Sequence, residues 1–98
     1  MRKSELFAHI LDYVVVETEI EKEQILSSNK NAEVVDARYI LVYILDRNGF
    51  YHREIARLSG ISRQAVSRMI SLFETRRFRG GKIFEITLNR ICKKLENN

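Results

Sequence analysis

Arg63 and Gln64 stand side by side, with Ser62 before them and Ser67 and Arg68 one turn further on. A guanidinium and a carboxamide each offer two hydrogen-bonding positions in one plane, the geometry that matches the major-groove edges of guanine and adenine. On a single helix, Arg63, Gln64, Ser67 and Arg68 share one side, because residues three and four apart are neighbours. A second set of cations has the character of phosphate contacts: Arg53 and Arg57, one turn apart, then Arg76, Arg77, Arg79 and Lys82. Other chemistries are poorly supplied. His9 and His52 have no companion at metal-ligand spacing and read as surface residues. Cys92 lies on an apolar stripe and reads as a small core residue. Glu17, Glu19, Glu21 and Glu23 read as a solvated acidic face, and Gly80-Gly81-Lys82 lacks the spacing and the preceding strand of a phosphate-cradling loop. No set of nucleophile, base and orienting group can be assembled, so no enzyme, metal or other cofactor is expected.

The elements that must position these residues are legible in the run from His52 to Ile70. Ala56 is small where two helices cross closely, and Gly60 follows four residues later, where a tight turn needs a residue tolerant of positive φ. Ile61 plugs the angle between the helices, Ser62 is a natural N-cap, and Val66, Met69 and Ile70 turn inward. A helix of His52–Leu58, a turn at Gly60 and a second helix from Ser62 to about Arg76 make a helix-turn-helix. A second helix of about twelve residues is about 18 Å long, enough to lie in a major groove with its first turn deepest.

The rest of the chain reads as the support for that unit. Leu6, Phe7, Ile10, Leu11 and Val14 form the stripe of a helix over about 4–17. Thr18 and Glu21 have capping-box spacing and open a short acidic helix over about 19–27. A polar loop over 27–31 precedes a helix over 32–47, whose apolar residues crowd most of its surface and mark it as central. Asn48-Gly49 stops that helix. Residues 76–82 read as a basic loop, and Phe84, Ile86, Leu88, Ile91, Cys92 and Leu95 as the stripe of a last helix. Residues 83–88 also fit a short strand, with helix favoured. Tyr39, Tyr43 and Phe73 read as core rather than as platforms for stacked bases. The expected fold is all-α: a small bundle of five to six helices in one domain over 1–98. Residues 1–18 complete the core or pair with a second subunit, and 19–98 carry the helix-turn-helix.

Composition narrows the partner. Ninety-eight residues leave no room for two cores or for a multi-layer enzyme fold. The net charge of +4 conceals an asymmetry. Residues 1–46 hold nine acidic against five basic residues, whereas 47–98 hold twelve basic against four acidic. A basic half carrying the helix-turn-helix suits a polyanion. The lone cysteine fits a reducing cytosol, and the apolar run Tyr13–Val16 is far too short for a membrane span. Polar residues interrupt the N-terminal apolar stretch, so a signal peptide is not expected.

The segment from His52 to Ile70 resembles the helix-turn-helix of bacterial repressors of the lactose-repressor and Cro kinds. Over residues 19–95, the order of short acidic helix, polar loop and Val35-Asp-Ala-Arg-Tyr-Ile-Leu-Val-Tyr-Ile-Leu45 resembles the C-terminal DNA-binding domain of the bacterial replication initiator DnaA. That domain shares the Trp-repressor fold. The resemblance implies a phosphate-contacting role for Arg38 and a base-reading turn at Ser62, Arg63, Gln64 and Ala65. The family carries Asp-His-Ser/Thr-Thr in that turn, so a different target sequence is implied here. The expectation is a cytoplasmic, non-catalytic regulator of transcription or replication that binds double-stranded DNA, with pairing into a homodimer open and no membrane or small-molecule partner. The alternative is an adaptor that uses the same helices to hold a protein.

Overall fold

The computed structural model describes residues 1–97, and every element in it is helical. The order is α1 (Lys3–Thr18), α2 (Lys22–Ile25), α3 (Ala32–Arg47), α4 (His52–Ser59), α5 (Arg63–Ser71) and α6 (Phe73–Glu96). This is the all-α bundle of five to six helices that the apolar periodicity predicts. No helix among the described residues is long and apolar enough to cross a membrane.

α3 is the axis of the fold, and every other helix packs against it. Ala37, Leu41, Val42 and Leu45 are fully shielded from solvent, and Ile40 and Ile44 nearly so. A helix buried on most of its circumference needs apolar residues at successive positions, which is the pattern of 32–47. Asn31 caps it, its side chain accepting from the Glu33 N–H at 3.0 Å. α1 buries Phe7, Ile10, Leu11 and Val14 against α3 and α6, so the N-terminal helix completes the core. Tyr43 stacks on Phe73 with ring centroids 3.8 Å apart, and Phe73 packs on Phe84, so these aromatics are core.

Three expectations are corrected. The short acidic helix is a single turn, Lys22–Ile25, because Thr18 does not open it. Thr18 ends α1 instead: its hydroxyl donates back to the Val14 carbonyl at 2.7 Å, and Glu19 takes the left-handed conformation that stops the helix. Glu17 leaves the solvated acidic face, since Lys94 at 2.8 Å and Arg90 at 3.8 Å tie it to α6.

The third correction concerns 76–82, which is not a loop. α5 ends at Ser71, and after Leu72 the chain re-enters helix as α6, leaving helical geometry only at Gly81 (φ 62°, ψ −148°). That elbow divides α6 into arms of 73–80 and 82–96, and Arg77 reaches Glu85 across it. In a straight helix these two residues lie about 12 Å apart along the axis. Glycine is required twice. Gly81 occupies a region of backbone space that is essentially glycine-only. A Cβ on Gly80 would stand 2.5 Å from the Phe84 Cβ. Residues 83–88 are helical, as favoured.

Candidate nucleic-acid interface

α4 and α5 pack against one another across the turn Gly60-Ile61-Ser62, forming the helix-turn-helix that the spacing predicts. Gly60 has φ 79°, and a Cβ there would meet nothing within 4 Å. The residue is therefore glycine for its backbone conformation, not for space. The buried Ser59 hydroxyl accepts from the Ile61 N–H at 3.1 Å, and the Ser62 hydroxyl accepts from the Ala65 N–H at 3.2 Å. Both satisfy amides that the break between helices would otherwise orphan. Ile55 and Val66 are fully buried and Met69 nearly so, while Ala56, Ile61 and Ile70 pack partly buried against the core. α5 is thereby held with a fixed face outward.

That face carries Arg63, Gln64 and Arg68, all exposed. Their side chains have no hydrogen-bond or ion-pair partner among the described residues. Ser67 is half-buried, and its hydroxyl lies 3.0 Å from His52 Nδ1, whose other ring nitrogen is 3.6 Å from Asp46. His52 thus braces the start of α4 against the middle of α5, a role its isolation in the sequence does not reveal. Arg68 and Ser62 also border a groove of about 650 Å³ between α5 and the loop before α3, with Ser28 and Lys30 on its other side. α5 spans nine residues and about 13 Å, shorter than the twelve expected, because α6 begins at Phe73.

The candidate phosphate-binding arginines separate into two groups. Arg53, Arg57 and Arg79 are exposed, and Arg53 lies 5.6 Å from the Tyr51 ring centroid. The other three are engaged inside the fold. Arg38 is 9% exposed: its Nε donates to the Ile25 carbonyl at 2.7 Å, and Nη2 donates to Gln24 at 3.3 Å and Asn29 at 3.0 Å. It caps the end of α2 and holds the following loop, and burial pushes its pKa down from the ordinary value. Arg76 pairs with Asp36 at 2.5 Å and donates to the Ala32 carbonyl, pinning α6 to the start of α3. Arg77 pairs with Glu85 across the elbow and with Glu74 one turn back on its own arm, and the Arg77 contact holds the Glu85 carboxyl below the usual carboxylate range.

Two residues at the edge of the unit escaped the sequence reading. Lys3 on α1 donates to Glu54 at 2.8 Å and to the Gly49 carbonyl at 3.0 Å, and its ammonium lies 5.1 Å from the Tyr51 ring centroid. Glu54 also accepts from the Tyr51 N–H at 2.8 Å; with the hydrogen bond from Lys3 foremost, these contacts hold its carboxyl below the ordinary range. Tyr51 is 65% exposed at the head of α4, beside Arg53. The readable signal was Glu54 at the third position of a helix, where a carboxylate reaches back to the preceding amide. Lys3 gave none, since its partners lie about fifty residues away. Among the described residues no three of His, Cys, Asp and Glu gather as metal ligands would. The chain matches no family model, no curated protein and no solved structure.

Proposed function

We propose that the chain binds double-stranded DNA sequence-specifically through α4 and α5, as a non-catalytic regulator of transcription or replication in the cytosol. One observation carries the reading: the capped first turn of α5 presents Arg63 and Gln64 outward with no internal partner, on a helix whose other face is fixed in the core. A helix of this width fits a major groove about 12 Å wide. Arg63 and Gln64 read base edges, with Arg68, Ser62 and Ser67 beside them. Arg53, Arg57 and Arg79 contact phosphates and set the register. The resemblance of 19–95 to the initiator domain accords with this partner class.

Fluorescence-anisotropy titration of a random duplex at two salt concentrations tests it. With three to four phosphate contacts, affinity falls roughly 40- to 150-fold between 50 and 200 mM salt. Absence of duplex binding at low salt would overturn the reading and favour the protein-adaptor alternative.

A further inference from the structure

Three large apolar side chains are exposed at the elbow of α6, two of them more than any other large apolar residue described beyond Met1. Phe78 is 88% exposed, Ile83 80% and Ile86 49%. Phe78 and Ile86 line an open crease of about 740 Å³ that is bordered by Glu74, Arg77, Lys82 and Glu85. Ile83 lies three residues before Ile86, the spacing of neighbours on a helix surface. Together the three side chains expose roughly 400 Å² of apolar surface, the size at which a patch on a monomer is commonly functional.

DNA is a poor occupant. Within a C-terminal half that carries twelve basic against four acidic residues, the four charges around the crease cancel, and Arg77 is already paired with Glu85. A neutral apolar surface neither attracts a polyanion nor selects a strongly charged protein. Cancelled charge is what a patch needs in order to face itself, because a two-fold interface brings the same residues together from both sides. Glu74 and Lys82 supply one exposed charge of each sign at its border.

We infer that the elbow of α6 seats a second copy of this chain, forming a two-fold dimer around Phe78, Ile83 and Ile86. Lys82 of each copy then faces Glu74 of its partner. The apolar patch supplies about half of the roughly 800 Å² per partner that a specific interface buries, and the polar rim supplies the rest. The surface is pre-organised, since the Arg77–Glu85 clasp and the conformation of Gly81 fix the elbow and little must be ordered on association. None of these residues lines the groove beside α5, so the dimer leaves Arg63 and Gln64 free.

Sedimentation equilibrium of the full chain without DNA tests the inference independently of the DNA reading. The wild type dimerises reversibly at micromolar concentration. Phe78→Asp and Ile86→Asp each raise the dimer Kd by roughly thirtyfold or more, with helical circular dichroism unchanged because both side chains are exposed. Val16→Asp, on an exposed apolar residue of α1, leaves the Kd unchanged. A wild type that stays monomeric to about 0.1 mM, or a dimer that survives both elbow substitutions, would overturn the inference.

Discussion

Arg38 and Arg63 carry the same guanidinium and meet opposite surroundings. Arg38 lies on the central helix with three carbonyl oxygens around it, and Arg63 opens α5 with its side chain in solvent. The division runs through the whole arginine set: Arg76 and Arg77 are tied by Asp36 and Glu85, whereas Arg57, Arg68 and Arg79 have no partner among the described residues. In a basic chain, positive charge alone does not identify the residues that meet a polyanion. A cation already satisfied internally contributes to folding, and only an unsatisfied one on a rigid, exposed element is available to a partner.

The sharpest way to break this contrast is to remove one residue from each group. Arg38→Ala takes the guanidinium donor from the Ile25 and Asn29 carbonyls, while Gln24 still accepts from Ser27, and stability in urea unfolding should fall by about 2–4 kcal/mol. A loss below about 0.5 kcal/mol would mean that Arg38 is not holding α2. Arg57→Ala should leave stability within about 0.5 kcal/mol of wild type. It should instead weaken duplex binding about tenfold and reduce the salt slope by about one. Equal binding by that variant would remove Arg57 from the contact set.

A smaller effect comes from acid. Glu85 has a folded pKa held below its unfolded value of about 4.3 by Arg77, so its contribution is fully present above that value and is lost as pH falls through the folded pKa. Thermal melts below about pH 4.3 should therefore show a decline in Tm that is shallower in Glu85→Gln. Arg63→Ala should follow the wild-type acid profile, because Arg63 contacts no carboxylate.

How much of this was legible depended on the range of the interactions. The helix-turn-helix rests on neighbours within four residues: the Gly60 turn, the Ser62 cap and the inward Val66 and Met69. Those leave direct marks in sequence, and so does the crowded apolar surface of α3. The elbow of α6 left misleading marks. Arginines and glycines over 76–82 resemble a solvated loop, but Arg76 is held by Asp36, forty residues away, and Arg77 by Glu85 across the bend. Thr18 and Glu21 have the spacing of a capping box, yet the Thr18 hydroxyl is used by the end of α1. The phosphate role of Arg38 came from the resemblance alone, and its acceptors in the fold are main-chain oxygens, which no side-chain pattern reveals.

The most direct measurement compares wild type and the Arg63→Ala, Gln64→Ala double variant in a selection from random duplexes, with the retained DNA sequenced. The wild type should enrich a defined motif. The double variant should keep its fold and its salt-sensitive binding but lose the motif, since each bidentate pair supplies roughly 1–3 kcal/mol of discrimination. Enrichment of the same motif by both proteins would contradict the claim that the first turn of α5 reads bases.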